Sequence, residues 1–231
     1  MSLGTNLERH APAIGRYAWW SAWAGLVLGQ LHALSRHQTE DGKEDLEIST
    51  TSVWAEPAAD ALSPLLDWGD PDLVYVTYGK IWLPVFIGFL LCALVVRHRR
   101  RPVGFEKWAW RVVLVGYAWA VLDVAATYWT QWTGEYNAVF EAAFVAGLPG
   151  LLLTILGSTV LGVTMLVKGF RPRVPALLLA ATFPLALVVT MFTSMGSLAL
   201  PIAFAFGLLG RRISRENGAA STERARVPAA A

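Results

Sequence analysis

Residues 149–167 read PGLLLTILGSTVLGVTMLV, a run of 19 residues without a charged side chain. About 20 apolar residues are enough for one helix to cross the hydrocarbon core of a bilayer. Because only elements that satisfy their own backbone hydrogen bonds are stable there, this run predicts a transmembrane helix. Other long apolar runs lie on both sides of it. The sequence therefore predicts an all-α fold, a polytopic helical membrane bundle.

The composition of the whole chain agrees with this fold class. The 231 residues have a mean hydropathy of +0.46, with 55% hydrophobic and 16% charged residues. Soluble domains carry about 25% charged residues, so a soluble enzyme is excluded, as are disordered and fibrous classes. The single cysteine, Cys92, lies inside an apolar run and excludes an intramolecular disulfide. We expect it to be a buried small apolar residue.

The apolar runs predict about six spans. We place them at residues 17–34, 80–97, 109–131, 149–168, 175–193 and 197–210. The first resembles a secretory signal, but its length and its three tryptophans favour a retained span. Pro149 is expected to separate a short interfacial segment, starting near residue 138, from the main fourth span. The last run has only 14 residues and is either a short span or a re-entrant segment.

Basic residues predict the orientation of the spans. With six spans, 16 of the 19 Lys and Arg residues lie on one side and three on the other. Because basic loops stay in the cytoplasm, both termini are predicted to be cytoplasmic. If the last segment were re-entrant, the five arginines that follow it would lie outside the cytoplasm, contrary to this rule. The excess of arginine over lysine is typical of a GC-rich bacterial genome, so we predict a multi-pass protein of the cell inner membrane.

This topology divides the chain into five regions. A cytoplasmic segment, 1–16, precedes the first span, and a five-helix membrane region, 80–210, is followed by a disordered cytoplasmic tail, 211–231. Between them lies an extracytoplasmic loop, 35–79, with ten of the 17 acidic residues. Within that loop, residues 54–68 predict a short amphipathic helix on the outer membrane face.

One polar residue stands out inside a predicted span. Asp123 occurs in AWAVLDVAAT, residues 118–127. Counted from Trp110 at ~1.5 Å per residue, it lies roughly 20 Å above the inner boundary, which is well within hydrocarbon. The same count from Tyr17 places His32 at about 22 Å, so the two side chains are expected to be at the same level and able to meet.

Other polar residues extend this candidate site. Thr127 and Trp119 lie one turn on either side of Asp123 on the same helix face, and Lys80 and Glu141 lie near the outer rim. Intramembrane acids usually face the interior of a bundle. Two interpretations remain open. The acid either fixes helix packing through hydrogen bonds, or it binds a proton, a cation or a polar head group.

Small residues recur every four positions in two spans. In the fourth span they include Gly150, Ser158 and Gly162, and in the first span Gly25 and Gly29. Small residues at this interval allow helix backbones to approach closely in lipid. We interpret both series as packing seams inside the chain, rather than as a dimer surface or a channel lining.

The sequence carries no recognisable catalytic, metal or cofactor motif. The spacing of the histidines does not match a zinc or copper site. A haem site needs two histidines at matched depth on different helices, and the four histidines of this chain do not provide such a pair. No cofactor and no metal are therefore expected. The arginine cluster at 97–101 is explained by topology, so nucleic acid is not an expected partner, whereas the lipid bilayer is.

Two functions are compatible with these features. The first is a non-enzymatic accessory or scaffold subunit whose acidic outer loop contacts another membrane protein. The alternative is a small transporter, or proton-coupled carrier, that uses Asp123 and His32. An intramembrane enzyme has less support because no nucleophile with an adjacent base is recognisable.

Overall fold

The protein is almost entirely helical. The computed structural model describes residues 3–191 and 195–226, and their side chains from 4 to 191 and from 197 to 216. Helix accounts for 85% of the described residues, which contain no strand. The helices are α1 (Leu3–Arg36), α2 (Glu40–Lys43), α3 (Ser49–Ala61), α4 (Ser63–Leu66), α5 (Pro71–Gly79), α6 (Trp82–Arg100), α7 (Phe105–Tyr128), α8 (Ala138–Val167), α9 (Arg173–Ala180), α10 (Thr182–Val189) and α11 (Leu200–Arg226).

Four helical segments are long and apolar enough to cross a membrane. They are Pro71–Arg100, Phe105–Tyr128, Ala138–Val167 and Ser197–Glu216. The first of them joins α5 to α6, so the predicted outer loop ends earlier than residue 79. These segments support a membrane protein, in agreement with the coarse prediction from composition.

Side-chain contacts join the helices at the two ends of the bundle. At one end, Ser214 of α11 donates to the carbonyl of Pro12 in α1 (2.7 Å), and Arg99 of α6 pairs with Glu8 of α1 (2.9 Å). At the other end, Trp129 after α7 donates to the carbonyl of Lys80 before α6. We call these the basic end and the acidic end.

Two of the predicted spans differ in form from a single apolar helix. Helix α1 is 34 residues long, but its Trp, Gln and His residues keep it outside the four apolar segments. The predicted fifth span is broken at Ala181 into α9 and α10. Pro184 explains the break, because it has no N–H to donate to the carbonyl four residues earlier. The Phe183 N–H bonds instead to the Thr159 hydroxyl of α8 (3.0 Å).

Three further expectations need correction. Pro149 does not divide the fourth span, since α8 runs through it without interruption. Neighbouring groups commonly compensate for a proline inside a transmembrane helix. Helix α11 continues to Arg226, whereas the sequence predicts a disordered tail from residue 211; residues 227–231 lie outside the described part. Residues 54–68 form parts of two helices, α3 and α4, with a break at Leu62.

The small residues of α1 and α8 lie at contacts between helices of the same chain. Gly25 and Gly29 of α1 face Val85 and Trp82 of α6. Gly150 faces Trp119 of α7. Ser158 of α8 shares a hydrogen bond with Tyr117 of α7 (2.8 Å), and Gly162 lies against the backbone of α9.

We predict that Gly162→Ala destabilises the protein by about 1–3 kcal/mol, the usual cost of overpacking. A Cβ at this position would lie 2.7 Å from the Ala176 carbonyl oxygen of α9, and a backbone cannot move aside as a side chain can. Gly157→Ala in the same helix is the matched control, because its Cβ would lie 3.4 Å from the Val113 Cα. Thermal unfolding in detergent measures both variants. Equal melting temperatures for the two would contradict the tight α8–α9 contact.

Candidate functional site

A cavity of about 710 Å³ lies at the acidic end of the bundle. Its lining comes from the ends of α1, α7 and α10, the start of α8, α5 and the segment between α1 and α3. Among the lining residues are two histidines, one arginine, three carboxylates and three tyrosines: His32, His37, Arg36, Asp41, Asp45, Glu141, Tyr75, Tyr128 and Tyr136. Apolar side chains such as Phe140 and Phe144 complete the wall. The cavity therefore combines polar groups with aromatic surface.

His32 is the most enclosed polar residue of this cavity. Its side chain is 1% exposed, and its ring stacks on Tyr75 with 4.6 Å between centroids. The Trp82 indole N–H donates to His32 Nδ1 (3.1 Å). The hydrogen of the neutral imidazole is therefore on Nε2, which is buried and has no hydrogen-bond partner. A buried donor without a partner costs free energy, so Nε2 is a candidate binding group.

The charged residues follow directly after His32. Arg36, at the end of α1, pairs with Asp45 (3.1 Å). His37 is buried against the edge of Trp54. Burial lowers the pKa of His37 from its ordinary value, because a charged imidazolium is poorly solvated there. His37 is therefore held in its neutral form.

Tyrosines form the opposite wall. The hydroxyls of Tyr75 and Tyr128 are 3.3 Å apart, which connects α5 with the end of α7. Tyr136 donates to Asp72 (2.7 Å) and stacks on Phe140. Burial, together with the hydrogen bond to Asp72, raises the pKa of Tyr136, so this phenol stays protonated. Sequence reasoning missed these tyrosines, because only Tyr128 ends a helix, while Tyr75 lies within α5 and Tyr136 in the connection between α7 and α8.

Asp123 does not join His32. It lies in the seam between α7 and α8, where its carboxylate faces Gly147, and it lines a separate cavity of about 500 Å³. Its Oδ1 atom is buried and has no hydrogen-bond partner. The expected meeting of Asp123 and His32 is therefore wrong, because the helix rotation directs His32 toward α5 and Asp123 toward α8. Thr127 lies beside Asp123 and also lines the larger cavity, so the two cavities are neighbours.

The remaining predicted residues have separate positions. Trp119 lines the Asp123 cavity and donates to the Ala146 carbonyl (3.1 Å). Glu141 lines the larger cavity, as a rim residue should. Lys80 lies elsewhere, with its Nζ 3.7 Å above the Trp132 ring. Within the described residues, no three His, Cys, Asp or Glu side chains are grouped closely enough to hold a metal ion.

Comparison with known proteins adds no information about this site. No family model matches the chain, no curated protein matches it, and no solved structure matches its fold.

We predict that the protein loses stability as the pH falls below about 6.5. In the unfolded chain His37 gains a proton near its ordinary pKa of 6.5, whereas burial lowers this pKa in the folded protein, so protonation favours the unfolded chain. Each pH unit below that value then favours unfolding by at most about 1.4 kcal/mol for this one group. Melting temperatures measured from pH 8 to pH 5 test this prediction.

His37→Gln should reduce the slope of that pH profile, because position 37 then has no imidazole to protonate. The matched control is His10→Gln at an exposed position of α1, which should leave the profile unchanged. A profile of His37→Gln as steep as that of the unmodified protein would contradict the prediction.

Proposed function

We propose that this protein is a six-span protein of the bacterial inner membrane with both termini in the cytoplasm. The excess of Lys and Arg at the basic end, 16 residues against three, supports this orientation. In this proposal the six passes are α1, α5–α6, α7, α8, α9–α10 and α11. In this arrangement the acidic end, with its cavity, faces the outside of the cell.

Helix α1 and the α9–α10 pair are the additional spans in this proposal. Helix α1 is less apolar than the other passes, but α6 and α11 cover its polar face, and Ser21 is buried at this contact. At the break between α9 and α10, the Phe183 N–H is bonded to the Thr159 hydroxyl, so this donor is satisfied. Such side-chain compensation is what allows a break in a membrane-spanning helix.

We further propose that the cavity binds a small molecule. The observation that carries this proposal is the buried, unpartnered Nε2–H of His32 in a cavity of about 710 Å³. Cavities of about 300–1,000 Å³ are typical of small-molecule sites. Trp82 fixes the His32 ring and its tautomer, so the donor is oriented before any ligand arrives. An acceptor atom of the ligand would satisfy it.

The lining favours a particular class of ligand. One arginine faces three carboxylates, Asp41, Asp45 and Glu141, and the buried histidines are uncharged donors or acceptors. The lining charge is therefore negative. Aromatic rings from Tyr75, Tyr128 and Phe140 offer apolar surface and attract cations through their faces. These features together favour a small amine or zwitterion with an apolar part.

Asp123 connects this binding site to the carrier hypothesis. Its carboxylate lies next to Thr127, one turn below the cavity, and Oδ1 has no hydrogen-bond donor. A buried carboxylate of this kind is stable when it binds a proton or a cation. In a carrier, the ligand would bind first at His32 and then at Asp123 on its way through the protein. The second site is consequently Asp123 with Thr127 rather than Asp123 with His32.

A thermal-shift screen tests ligand binding directly. Purified protein is screened with a panel of small amines and zwitterions, and compounds that raise its melting temperature are measured again on Val145→Trp. Val145 lines the cavity and is 67% exposed, so a larger side chain narrows the opening without disturbing the core. We expect binding at least tenfold weaker, equivalent to about 1.4 kcal/mol.

Val163→Trp provides the matched control for that screen. Val163 lies on the same helix and is 48% exposed, but it does not line the cavity. It should bind the same compounds as the unmodified protein. The proposal fails if no compound stabilises the protein, or if every stabilising compound protects Val145→Trp equally well.

A scaffold role is the second candidate, and one observation supports it. The segment between α1 and α5 exposes large apolar side chains: Ile48 at 54%, Val53 at 77%, Leu65 at 46% and Trp68 at 49%. Exposed apolar groups of this kind mark contacts with a membrane surface or with another protein. The segment thus offers a contact surface beside the cavity.

We predict that Val53→Asp releases a partner in the scaffold hypothesis. A charge at the centre of an apolar contact costs several kcal/mol, so a complex isolated in mild detergent should dissociate. Native gel electrophoresis of extracts from cells with each form measures the complex. Glu56→Ala, on the same helix but polar and exposed, should leave it intact. A complex of unchanged size in Val53→Asp would count against the scaffold role.

A further inference from the structure

A second pocket, of about 370 Å³, lies at the opposite, basic end of the bundle. It is formed by the end of α6, the turn between α8 and α9, and the cytoplasmic part of α11. Four arginines and one glutamate supply its charged lining: Arg99, Arg100, Arg171, Arg212 and Glu216. No residue of this pocket belongs to the acidic-end cavity.

Two of these arginines are held in fixed positions. Arg99 makes a two-pronged pair with Glu8, with nitrogen-to-oxygen distances of 2.9 and 3.1 Å. Arg100 pairs with the buried carboxylate of Glu106 and lies over the Phe170 ring, 5.1 Å from its centroid. Ordered guanidinium groups bind an anion with a smaller loss of side-chain entropy.

The positive charge of the pocket is not fully compensated. Arg212 pairs with Glu216 (2.7 Å), and Lys168 shares Glu106 with Arg100 (3.6 Å). Arg171 is exposed and has no ionic partner among the described residues. Five cations, namely Arg99, Arg100, Arg171, Arg212 and Lys168, therefore lie close to three carboxylates, namely Glu8, Glu106 and Glu216. An anion with one or two charges would balance them.

The rest of the lining is apolar. Val96 of α6, Phe170 after α8, and Leu209 and Ile213 of α11 supply its apolar lining. A small soluble anion makes no favourable contact with apolar side chains. A phospholipid does, because its phosphate and its glycerol and acyl groups need a cationic and an apolar surface side by side.

We propose that this pocket binds the headgroup of an anionic phospholipid from the cytoplasmic leaflet. The guanidinium groups of Arg171 and Arg212 contact the phosphate, and Arg99 and Arg100 complete its cationic surroundings. The apolar part of the lipid next to the phosphate contacts Val96, Leu209 and Ile213 at the base of the pocket. Planar guanidinium groups suit this role because they bind phosphate oxygens with two parallel hydrogen bonds. The site is independent of ligand binding at the acidic end.

The test uses purified full-length protein in neutral detergent. Short-chain phosphatidylglycerol, short-chain phosphatidylcholine and inorganic phosphate are titrated separately, and the melting temperature is followed. We expect phosphatidylglycerol to stabilise the protein at concentrations at least tenfold lower than either of the others. Equal protection by phosphatidylcholine would overturn the requirement for an anion. Equal protection by inorganic phosphate would overturn the lipid as its source.

Variants then locate the binding site. Arg171→Gln should weaken the effect of phosphatidylglycerol at least tenfold, because it removes a charged hydrogen bond to the phosphate. It removes no ion pair among the described residues, so the lipid-free protein should melt at an unchanged temperature. Arg111→Gln, an exposed arginine of α7 outside the pocket, is the control with the same change of charge. Unchanged lipid dependence in Arg171→Gln, or equal losses in both variants, would contradict the proposal.

Discussion

The close packing of α1 against α6 and α11 is the constraint on which the remaining structure depends. Gly15 of α1 and Gly210 of α11 bring two backbones together, and neither position has room for a Cβ. Closer to the acidic end of α1, Gly29 leaves room for the Trp82 ring. Trp82 also donates to His32 Nδ1. The packing of α6 against α1 therefore also orients the His32 Nε2–H toward the acidic-end cavity.

The two ends of the bundle consequently carry different chemistry. At the acidic end, Arg36 is the only arginine of a lining with three carboxylates, and aromatic rings supply much of the wall. At the basic end, arginines outnumber acids, and the buried Glu106 holds Arg100 and Lys168 together. This separation of charge agrees with one end in the cytoplasm and one outside. It is also the basis for the different ligand classes proposed for the two pockets.

The sequence predicts much of the architecture because hydrophobic length depends on local composition alone. The run in α8 and the small residues Gly150, Ser158 and Gly162 are visible without any knowledge of neighbouring helices. The break at Ala181 is harder to predict, because Pro184 lies inside an otherwise apolar run and its cost is reduced by Thr159 from another helix. Likewise, Pro149 is tolerated within α8, so a proline alone does not predict a helix end.

The candidate site is predicted less completely because counting residues gives depth but not rotation. His32 and Asp123 are at similar counted depths, yet their helices turn them toward different neighbours, Trp82 and Gly147. Tyr75 and Tyr136 line the cavity because of where α5 and the α7–α8 connection lie relative to α1. Such long-range contacts have no local signal in a single sequence.

The position of α1 across the membrane is the central claim, and single-cysteine labelling tests it most directly. Asn6→Cys and Glu44→Cys lie on either side of the main part of α1, and the native Cys92 is fully buried and should not react. In intact cells, a membrane-impermeant maleimide should label position 44 at once and position 6 only after permeabilisation. Labelling of both positions from the same side would show that α1 does not cross the membrane, and the proposed six-span topology would be wrong.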